Sequence, residues 1–454
     1  MTAALLYTLG VVVFVVAILV SIALHELGHM IPAKAFGGKV TQYFVGFGPT
    51  VWSRQVGETE YGVKAIPLGG YVKIVGMLPP GADDLAEQAG VDPGGEPVYR
   101  VRKSNTGMFT QLVSDARAAE WETIGPEDAD RLFYKMPPWK KIVVMAAGPT
   151  VNIAIAFGIF AGVFATYGNP DDQRTTTTVG AISQCVVPYA ESGRECTADD
   201  DPVTPAVAAG LQPGDEIVAF NGTRIGDWRQ MQDLIRGNSD GEAQIVVERD
   251  GRELTLTTNT TVTARPSNDE DADPAATTEV GFLGVTPTTE LGTGGPIYTL
   301  DQMGTMAVRT VEALVQLPAK VFGVGRAIVG LQERDPESPV SIVGGGRIAG
   351  ETTALEEFPV QEKVVFLLLL IAGFNFFIGM FNFIPLLPLD GGHIAGAAYE
   401  GVRRRLARLR RRPDPGYVDV ARLLPVAYVV GSAILVMGVV LIVGDLVVPL
   451  SPYS

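Results

Sequence analysis

Histidine is nearly absent from this chain of 454 residues, which has only three. His25 and His29 stand in the string HELGH, and His393 stands in LDGGH. Because the chain spends all of its histidine in two short strings, we expect both strings to serve the function. The shortage also excludes a metal centre that takes a third histidine from outside LDGGH.

An excess of basic residues is missing as well. The chain has 35 Lys and Arg against 50 Asp and Glu, a formal net charge of −15, which argues against nucleic-acid binding. Charge is absent altogether from the run between Ala3 and Leu24. Hydrophobic residues make up 47% of the chain, and this composition indicates a membrane protein with a substantial soluble part.

Four apolar segments have the length of about 20 residues that crosses a bilayer. They run from Ala3 to Leu24, Ile142 to Tyr167, Val364 to Ile384 and Leu423 to Val443. The alternative for any one of them is a buried helix of a soluble domain. The first could also be a signal peptide, but it lacks a basic n-region and a small-residue cleavage site. We therefore predict four membrane helices.

Basic residues are concentrated in two of the loops between these segments. The positive-inside rule puts both loops in the cytoplasm, so both termini and residues 169–360 fall outside the cell membrane. The acidic stretch from Asp269 to Asp273 in that outer region is predicted to be a solvated linker. The basic residues are Lys34, Lys39, Lys135, Lys140, Lys141, Arg403, Arg404, Arg405, Arg408, Arg410, Arg411 and Arg412.

Both cysteines, Cys185 and Cys196, lie in the outer region. An extracytoplasmic compartment permits disulfides, so we predict that the two residues form one and close a short surface loop. The alternative is a pair of free thiols that never meet.

Residues 180–262 alternate short apolar strands with turns. The pattern predicts a strand from Glu216 to Phe220, a helix from Asp227 to Ile235 and a hairpin across Asp250-Gly251. This stretch resembles a PDZ domain of the bacterial membrane-protease kind, and such domains bind chain termini by adding a strand to a sheet edge. The alternative is a small β-rich domain with no ligand.

The chain between this module and the third apolar segment gives weaker signals. Residues Gly281 to Val285 (GFLGV) are predicted to form a closing strand, and Leu300 to Leu331 a helix that is apolar on one face. The glycine-rich stretch from Ser338 to Gly350 is predicted to be a loop. We expect these elements to pack at the bilayer surface without chemistry of their own.

HELGH follows the first apolar segment directly. HExxH on a helix places His25 and His29 one turn apart on one face, the geometry of a zinc pair, with Glu26 beside them as a general base. Ionisable residues inside a membrane are costly and usually functional. The string therefore predicts a metal-dependent hydrolytic site at membrane depth.

The string NFIPLLPLDGGH supplies the other half of this site. Asp390 follows a long apolar run, and Pro385 and Pro388 break helical geometry just before it. Two histidines and one carboxylate make a three-ligand zinc site that leaves the fourth position for water. The alternative is that Asp390 only caps a turn with Gly391 and Gly392.

HELGH in the first membrane helix, NxxPxxPLDGGH in a late one and a PDZ-like module between them resemble the site-2 proteases, zinc intramembrane metalloproteases. Enterobacterial members carry two tandem PDZ domains, whereas this chain has one, as actinobacterial members do. The resemblance implies that His25, His29 and Asp390 hold Zn2+ and that Glu26 is the catalytic acid/base. It also implies that Asn382 steadies the substrate or the transition state.

Residues Tyr43 to Met77 alternate apolar and polar positions and predict β-hairpins near HELGH. The resemblance implies a sheet that re-enters the membrane here and holds unwound substrate by main-chain hydrogen bonds. Gly69, Gly70 and Tyr71 are the substrate-binding candidates. The alternative is an ordinary cytoplasmic hairpin. We expect His393 to support the metal ligands from behind or to cap a helix, because a fourth protein ligand would close the site.

The expected fold is a polytopic α-helical membrane protein of the plasma membrane, with about four transmembrane helices, a membrane-associated β-hairpin region and an extracytoplasmic α+β PDZ domain. The active site is expected near the cytoplasmic side. The resemblance implies a zinc endopeptidase in regulated intramembrane proteolysis whose substrate is a pre-trimmed single-pass membrane protein, an anti-sigma factor being the leading kind. The other expected partner is membrane lipid, with no nucleic acid.

Three points stay open at this stage. The PDZ domain could filter substrates by size or bind a substrate terminus. A membrane-anchored zinc protease of soluble or misfolded extracytoplasmic chains is one different function, and a non-catalytic PDZ receptor or a transporter is another.

The expected boundaries are 1–31, first membrane helix with HELGH; 32–141, hairpin loop; 142–167, second helix; 168–179, linker; 180–262, PDZ domain; 263–363, acidic linker and membrane-proximal helices; 364–393, third helix with NxxPxxPLDGGH; 394–422, Arg-rich cytoplasmic loop; and 423–454, fourth helix and tail.

Overall fold

The computed structural model divides the chain into two compact units. One combines residues Met1–Val163 with Gly295–Ser454, and the other is Phe164–Gly294. The structure describes residues 2–79, 87–91, 97–100, 113, 115–117, 120, 124–191, 196–197, 201–266 and 277–450. The predicted acidic linker at 269–273 lies outside the described residues.

The first unit is mainly helical. Among the described residues, four of its helices are long and apolar enough to cross a membrane, which confirms the prediction of four long apolar helices. Each begins and ends within a few residues of the prediction, except that the first continues through HELGH to Ala35. These four helices are α1, Ala3–Ala35; α2, Pro138–Thr166; α7, Val360–Asn382; and α9, Leu424–Val447.

The remaining helices are shorter or more polar. Two of them lie in the second unit, namely α3 (Pro205–Ala209) and α4 (Trp228–Gly237). The others belong to the first unit: α5 is Pro296–Ile328, α6 is Ile342–Ala354 and α8 is Asp390–Leu409. Helix α5 fulfils the prediction of a helix from Leu300 to Leu331. Helix α8 occupies most of the stretch predicted as an Arg-rich loop, so that part of the prediction is wrong, because the stretch keeps helical periodicity as far as Leu409.

The prediction of a loop from Ser338 to Gly350 is also wrong. The Ser341 side chain accepts hydrogen bonds from the N–H groups of Val343 and Gly344 and begins α6 there. The glycines of α6 allow close packing on α1, where a Cβ on Gly345 would meet the Phe14 ring at 2.8 Å. Tertiary packing between small residues thus outweighs the low helix propensity of glycine.

A long hairpin follows α1. Strands β1 (Val40–Val56) and β2 (Thr59–Ile74) pair antiparallel, and the register sets Phe44 opposite both Gly62 and Tyr71. The first part of β1 is therefore flanked by β2 on both sides. The Tyr43 hydroxyl donates to the carbonyl oxygen of Ala23 at 2.7 Å and ties the sheet to α1. Strands β3 (Glu87–Val91) and β4 (Pro97–Arg100) form a second, smaller hairpin.

The second unit is built on a β-sheet. The strands of this unit are β5, Asn169–Ile182; β6, Glu216–Phe220; β7, Thr223–Arg224; β8, Glu242–Arg249; β9, Arg252–Asn259; β10, Thr261–Pro266; β11, Thr277–Phe282; and β12, Val285–Gly292. The strand order in the main sheet is β12-β5-β6-β8-β9, and β7 pairs with β6. The core contains apolar side chains from the sheet and from α4, among them Ile217, Phe220, Met231 and Ile245.

Several predictions for this unit can be compared with the strands. The strand Glu216–Phe220 and the hairpin across Asp250-Gly251 are confirmed. The prediction of a closing strand at GFLGV is wrong. Gly284 has a φ of +90°, packs closely against Thr204 and separates β11 from β12. Residues 168–179, predicted as a linker, largely form β5, whose threonine-rich run suits a strand paired with β12.

Cys185 and Cys196 are bonded to each other, with their Cα atoms 6.0 Å apart. Peptide mapping with and without reductant is the measurement that checks this pairing.

An ion pair between a buried carboxylate and a partly exposed guanidinium joins two turns of the sheet in the second unit. Asp215 is 1% exposed and accepts from Nε and Nη2 of Arg249 at 2.6 and 2.7 Å, and from the N–H of Gln212 at 2.8 Å. Burial by itself raises the pKa of Asp215, but the Arg249 guanidinium and the Gln212 N–H outweigh it, and the pKa lies below its ordinary value. The pair therefore stabilises the fold only while Asp215 is ionised.

We predict that Arg249→Met lowers hydrogen-exchange protection of β8 and β9 near neutral pH by several-fold. A carboxylate with a depressed pKa contributes stability that is complete above its unfolded pKa of about 3.9 and is lost as pH falls through the folded pKa. The difference between variant and wild type should therefore shrink below about pH 3.9. Arg252→Met, across the same turn, is the matched control and should change little. A difference that does not vary with pH would contradict the assignment.

Candidate metal centre

Helix α1 carries the two HELGH histidines on one face. The Nε2 atoms of His25 and His29 lie 3.2 Å apart, and the ring centroids are 4.9 Å apart in an edge-on arrangement. One helical turn separates the residues, as the spacing predicts. His29 is buried and His25 is partly buried.

Asp390 reaches these rings from the first residue of α8. Its Oδ2 atom lies 3.3 Å from Nε2 of His25 and 3.3 Å from Nε2 of His29. These three residues form a group that could hold a metal ion. The structure thus brings together the three predicted ligands, although most of the chain separates Asp390 from the histidines. It directs the Asp390 carboxylate at the rings, so capping of a turn does not account for this residue.

The two glycines after Asp390 allow the chain to fold tightly over the start of α8. A Cβ on Gly391 would collide with the carbonyl group of Ile384, and a Cβ on Gly392 would lie 2.5 Å from the N atom of Leu387. Residues 383–389, which include Pro385 and Pro388, are not helical. The short loop and the glycines together set where α8 begins and so where the carboxylate lies.

Each histidine ring is fixed by a hydrogen bond at Nδ1. Nδ1 of His25 lies 2.6 Å from Oδ1 of Asn152, and Nδ1 of His29 lies 2.8 Å from the carbonyl oxygen of Val144. The Asn152 amide is itself oriented, because its Nδ2 donates to Oδ1 of Asn375 at 3.0 Å and Asn375 donates to the carbonyl oxygen of Ile371. Both Nδ1 atoms therefore carry the proton, and both Nε2 atoms present a lone pair.

The donor set fits zinc. Two imidazole lone pairs and a carboxylate oxygen converge within 3.3 Å of one another, and such an arrangement of electron-pair donors is repulsive without a cation. Ligands about 2.0–2.1 Å from a tetrahedral zinc ion are roughly 3.3–3.4 Å apart. His25, His29 and Asp390 match that spacing and leave the fourth position for a water molecule or a substrate.

Sequence reasoning missed the groups on α2 that support this centre. Asn152 and Asn375 are 1% and 0% exposed and connect His25 to α7. Gly148 lets α2 approach so closely that a Cβ there would collide with the His29 ring. One signal was available, because Asn152 is a polar residue inside an apolar segment and such residues are usually functional. Gly148 carried no comparable signal.

A buried ion pair fixes α8 against the start of α2. Nζ of Lys141 lies 2.8 Å from Oε2 of Glu400, and their side chains are 7% and 2% exposed. The N–H of Val418 donates to the same oxygen at 3.2 Å, and Nη2 of Arg404 lies 3.2 Å from the other oxygen. The pair joins the helix that carries Asp390 to the helix that carries the histidine supports, Val144 and Asn152.

The other predicted site residues lie around this centre to different extents. A Cβ on Gly70 would lie 2.9 Å from Cγ of Glu26, so β2 passes directly beside the glutamate. Tyr71 stacks on Phe44 with ring centroids 5.6 Å apart, and a Cβ on Gly69 would meet the Phe47 ring.

Two further candidates lie beside the motif that carries Asp390. Asn382 ends α7, and its amide donates to the carbonyl oxygen of Ile378 at 3.1 Å. Its contact with substrate stays a prediction. His393 lies in the first turn of α8 and does not belong to the metal-holding group among the residues that the structure describes. A supporting role for His393 likewise stays a prediction.

Comparison with known proteins agrees with this geometry. A family model described as Peptidase family M50 matches residues 13–421. The chain is 36% identical to zinc metalloprotease Rip1 of Mycolicibacterium smegmatis, over 99% of this chain and 100% of that protein. It is 34% identical to zinc metalloprotease Rip1 of Mycobacterium tuberculosis, over 98% and 99%. Metalloprotease MmpA of Caulobacter vibrioides is 28% identical, over 87% of each chain.

We predict that Asn152→Ala weakens zinc binding by about 10- to 100-fold, the range typical of lost outer-shell partners of a metal-bound histidine. The variant removes the acceptor that holds the Nδ1 proton of His25, so the ring can rotate and change tautomer. Zinc affinity of the purified chain, measured by chelator competition, checks this. Thr150→Ala is the matched control, because Thr150 is exposed on the same helix and its hydroxyl donates to the carbonyl oxygen of Ala146 in that helix. Equal affinity in Asn152→Ala and wild type would contradict the role.

Proposed function

We propose that this chain, which belongs to peptidase family M50 (the site-2 proteases) and is a zinc metalloprotease, cleaves peptide bonds in or beside the membrane helices of other proteins. The chain is an integral membrane protein. The observation that carries the proposal is the group of His25, His29 and Asp390, whose histidines lie in a helix long and apolar enough to span a bilayer.

Glu26 is the proposed acid/base. It follows His25 directly on α1 and lies within electrostatic reach of His25, His29 and Asp390. A zinc ion held by His25, His29 and Asp390 would act as a Lewis acid at this site. Glu26 would accept a proton from the water that attacks the scissile carbonyl and would then donate a proton to the leaving amine. Asn382 is the proposed side-chain donor to the developing oxyanion.

The hairpin beside Glu26 is the proposed holder of the substrate. A peptide bond in a helix has its carbonyl hydrogen-bonded, so the substrate must unwind before the site can reach it. Residues 70–73 of β2 pair with residues 42–45 of β1 on one side. Among the described residues no strand pairs with their other side, which leaves an edge that can add an extended chain by main-chain hydrogen bonds. Gly70 puts that edge against Glu26.

The second unit is proposed to be a PDZ domain, because it combines a hairpin-rich sheet with α4 and the short α3. Its role is to limit access by substrate size or to hold a substrate terminus. The lysines and arginines near the membrane ends favour a cytoplasmic position for the hairpin and for α8, and an extracytoplasmic position for both termini and the PDZ domain. We also propose the predicted domain boundaries, except at the places where the helices and strands described above contradict them.

A pre-trimmed single-pass membrane protein is the proposed substrate. The proteins named Rip1 in two mycobacteria are the relatives that support this part of the proposal, together with the single PDZ-like unit. An anti-sigma factor in extracytoplasmic stress signalling is the specific kind that we propose. Such a substrate offers one membrane helix and, after trimming, a short outer stub that could pass the PDZ domain.

We predict that Glu26→Gln keeps zinc and lowers turnover by at least about 10²-fold, because the amide cannot accept the proton of the attacking water. Zinc content of the purified variant and membrane-protein fragments in cells that carry wild type or variant are the two measurements. Fragments of single-pass proteins should disappear with the variant. A receptor or transporter would tolerate the change, and loss of fragments from soluble proteins alone would indicate an anchored protease instead.

We also predict that Gly70→Pro and Tyr71→Pro each lower turnover without loss of zinc. Successive N–H groups of a strand point to opposite sides, so one of the two replacements removes an N–H from the free edge while the other weakens the pairing with β1. Turnover of a membrane substrate and zinc content are measured side by side. Tyr71→Ala is the control, because it removes the ring and keeps the N–H. Unchanged turnover in both proline variants would contradict the strand-addition role.

A further inference from the structure

Helix α8 has one face packed in the protein and one face outside it. Glu400 is 1% exposed in its ion pair with Lys141, and Ala397 is 4% exposed. A Cβ on Gly401 would lie 3.4 Å from Pro138 at the start of α2. The other side of the helix has no such covering among the described residues.

The outer face is apolar along its centre. Tyr399, Val402, Leu406 and Leu409 are 60%, 61%, 44% and 75% exposed. Their spacing of three, four and three residues keeps them on one stripe of a helix. An exposed stripe of this kind on a 20-residue helix marks a surface that something covers.

Arginines are numerous in the second half of α8 and just after its last residue, and they divide into two groups. Arg403 donates to the carbonyl oxygens of Pro415 and Gly416, and Arg404 pairs with Glu400, so both serve the fold. The second group is exposed and makes no ion pair among the residues that the structure describes. Its members are Arg405, Arg408, Arg410, Arg411 and Arg412.

The neighbouring helices place this face at the membrane. Helices α7 and α9 are both membrane-spanning candidates, and α8 lies in the segment between them. Only residues 383–389 separate the end of α7 from the start of α8. The helix therefore begins only seven residues after the end of a membrane-spanning candidate, which keeps it close to the bilayer.

We propose that the outer face of α8 binds anionic phospholipid at the membrane surface. The apolar stripe enters the boundary between headgroups and acyl chains, and the five exposed arginines contact lipid phosphates. A protein partner would also cover an apolar stripe, but the excess of positive charge beside it complements an anionic bilayer, and each arginine near such a surface favours binding by about fivefold. The contact does not depend on the proposed proteolysis.

The test uses the full chain with Leu409→Trp, since this position is exposed and a tryptophan there reports contact with lipid. The protein is reconstituted in vesicles of phosphatidylglycerol and phosphatidylcholine in which only one of the two lipids carries bromine on its acyl chains. Emission of the chain without Leu409→Trp is subtracted. We expect several-fold stronger quenching when phosphatidylglycerol carries the bromine, and a loss of that preference at high salt.

Charge variants decide the role of the arginines. Arg405→Gln, Arg408→Gln and Arg410→Gln together should remove the preference for phosphatidylglycerol and keep quenching by both lipids. Arg224→Gln, Arg229→Gln and Arg252→Gln remove the same charge from exposed positions of the second unit and should leave the preference intact. Equal quenching by both lipids in the parent chain would overturn the anionic-lipid assignment. Absence of quenching by either would mean that a protein, such as a second copy of this chain, covers the face.

Discussion

The mutual approach of three electron-pair donors is the constraint on which the first unit depends. Nε2 of His25, Nε2 of His29 and Oδ2 of Asp390 lie within 3.3 Å of one another, an arrangement that needs a cation and a rigid frame. The frame comes from close contacts of small residues: a Cβ on Gly28 would lie 2.9 Å from the carbonyl oxygen of Ala147, and Gly148 touches a ring of the site. In a membrane, where apolar contact with lipid costs nothing, such close packing is what holds helices together.

Two buried ion pairs hold the helices that this packing brings close. Lys141 and Glu400 join α2 to α8, and Arg334 and Asp445 join the segment before α6 to α9, with exposures of 4% and 2% and a separation of 2.8 Å. Asp445 also accepts from the N–H of Ser341. Pairs of this kind cost much desolvation, yet removing one partner leaves a charge without compensation. Loss of either partner would therefore destabilise the contact between the two segments that the pair joins.

Much of this architecture could be predicted from sequence because it rests on local signals. Apolar length predicts the spans, and HELGH and LDGGH carry the three ligands in full. What could not be predicted depends on contacts between distant segments. The glycine-rich sequence of α6 predicts a loop, and only its packing against α1 explains the helix. Gly284 interrupts a stretch whose sequence predicts one continuous strand. The role of Gly148 becomes evident only from its close approach to His29. Asn152 could be predicted in part. Its polarity inside an apolar segment indicates a functional residue, but the sequence does not show that its partner is His25.

The division of the metal centre between α1 and α8 has a consequence for the biosynthesis of the protein. A chain is made from its N-terminus, so His25 and His29 enter the membrane long before Asp390 has been translated. A nascent or truncated chain that ends before Asp390 offers only two of the three ligands, although Glu26 and the hairpin have already been synthesised. The complete set of three ligands therefore forms late in assembly, once α8 has been synthesised and has packed against α2.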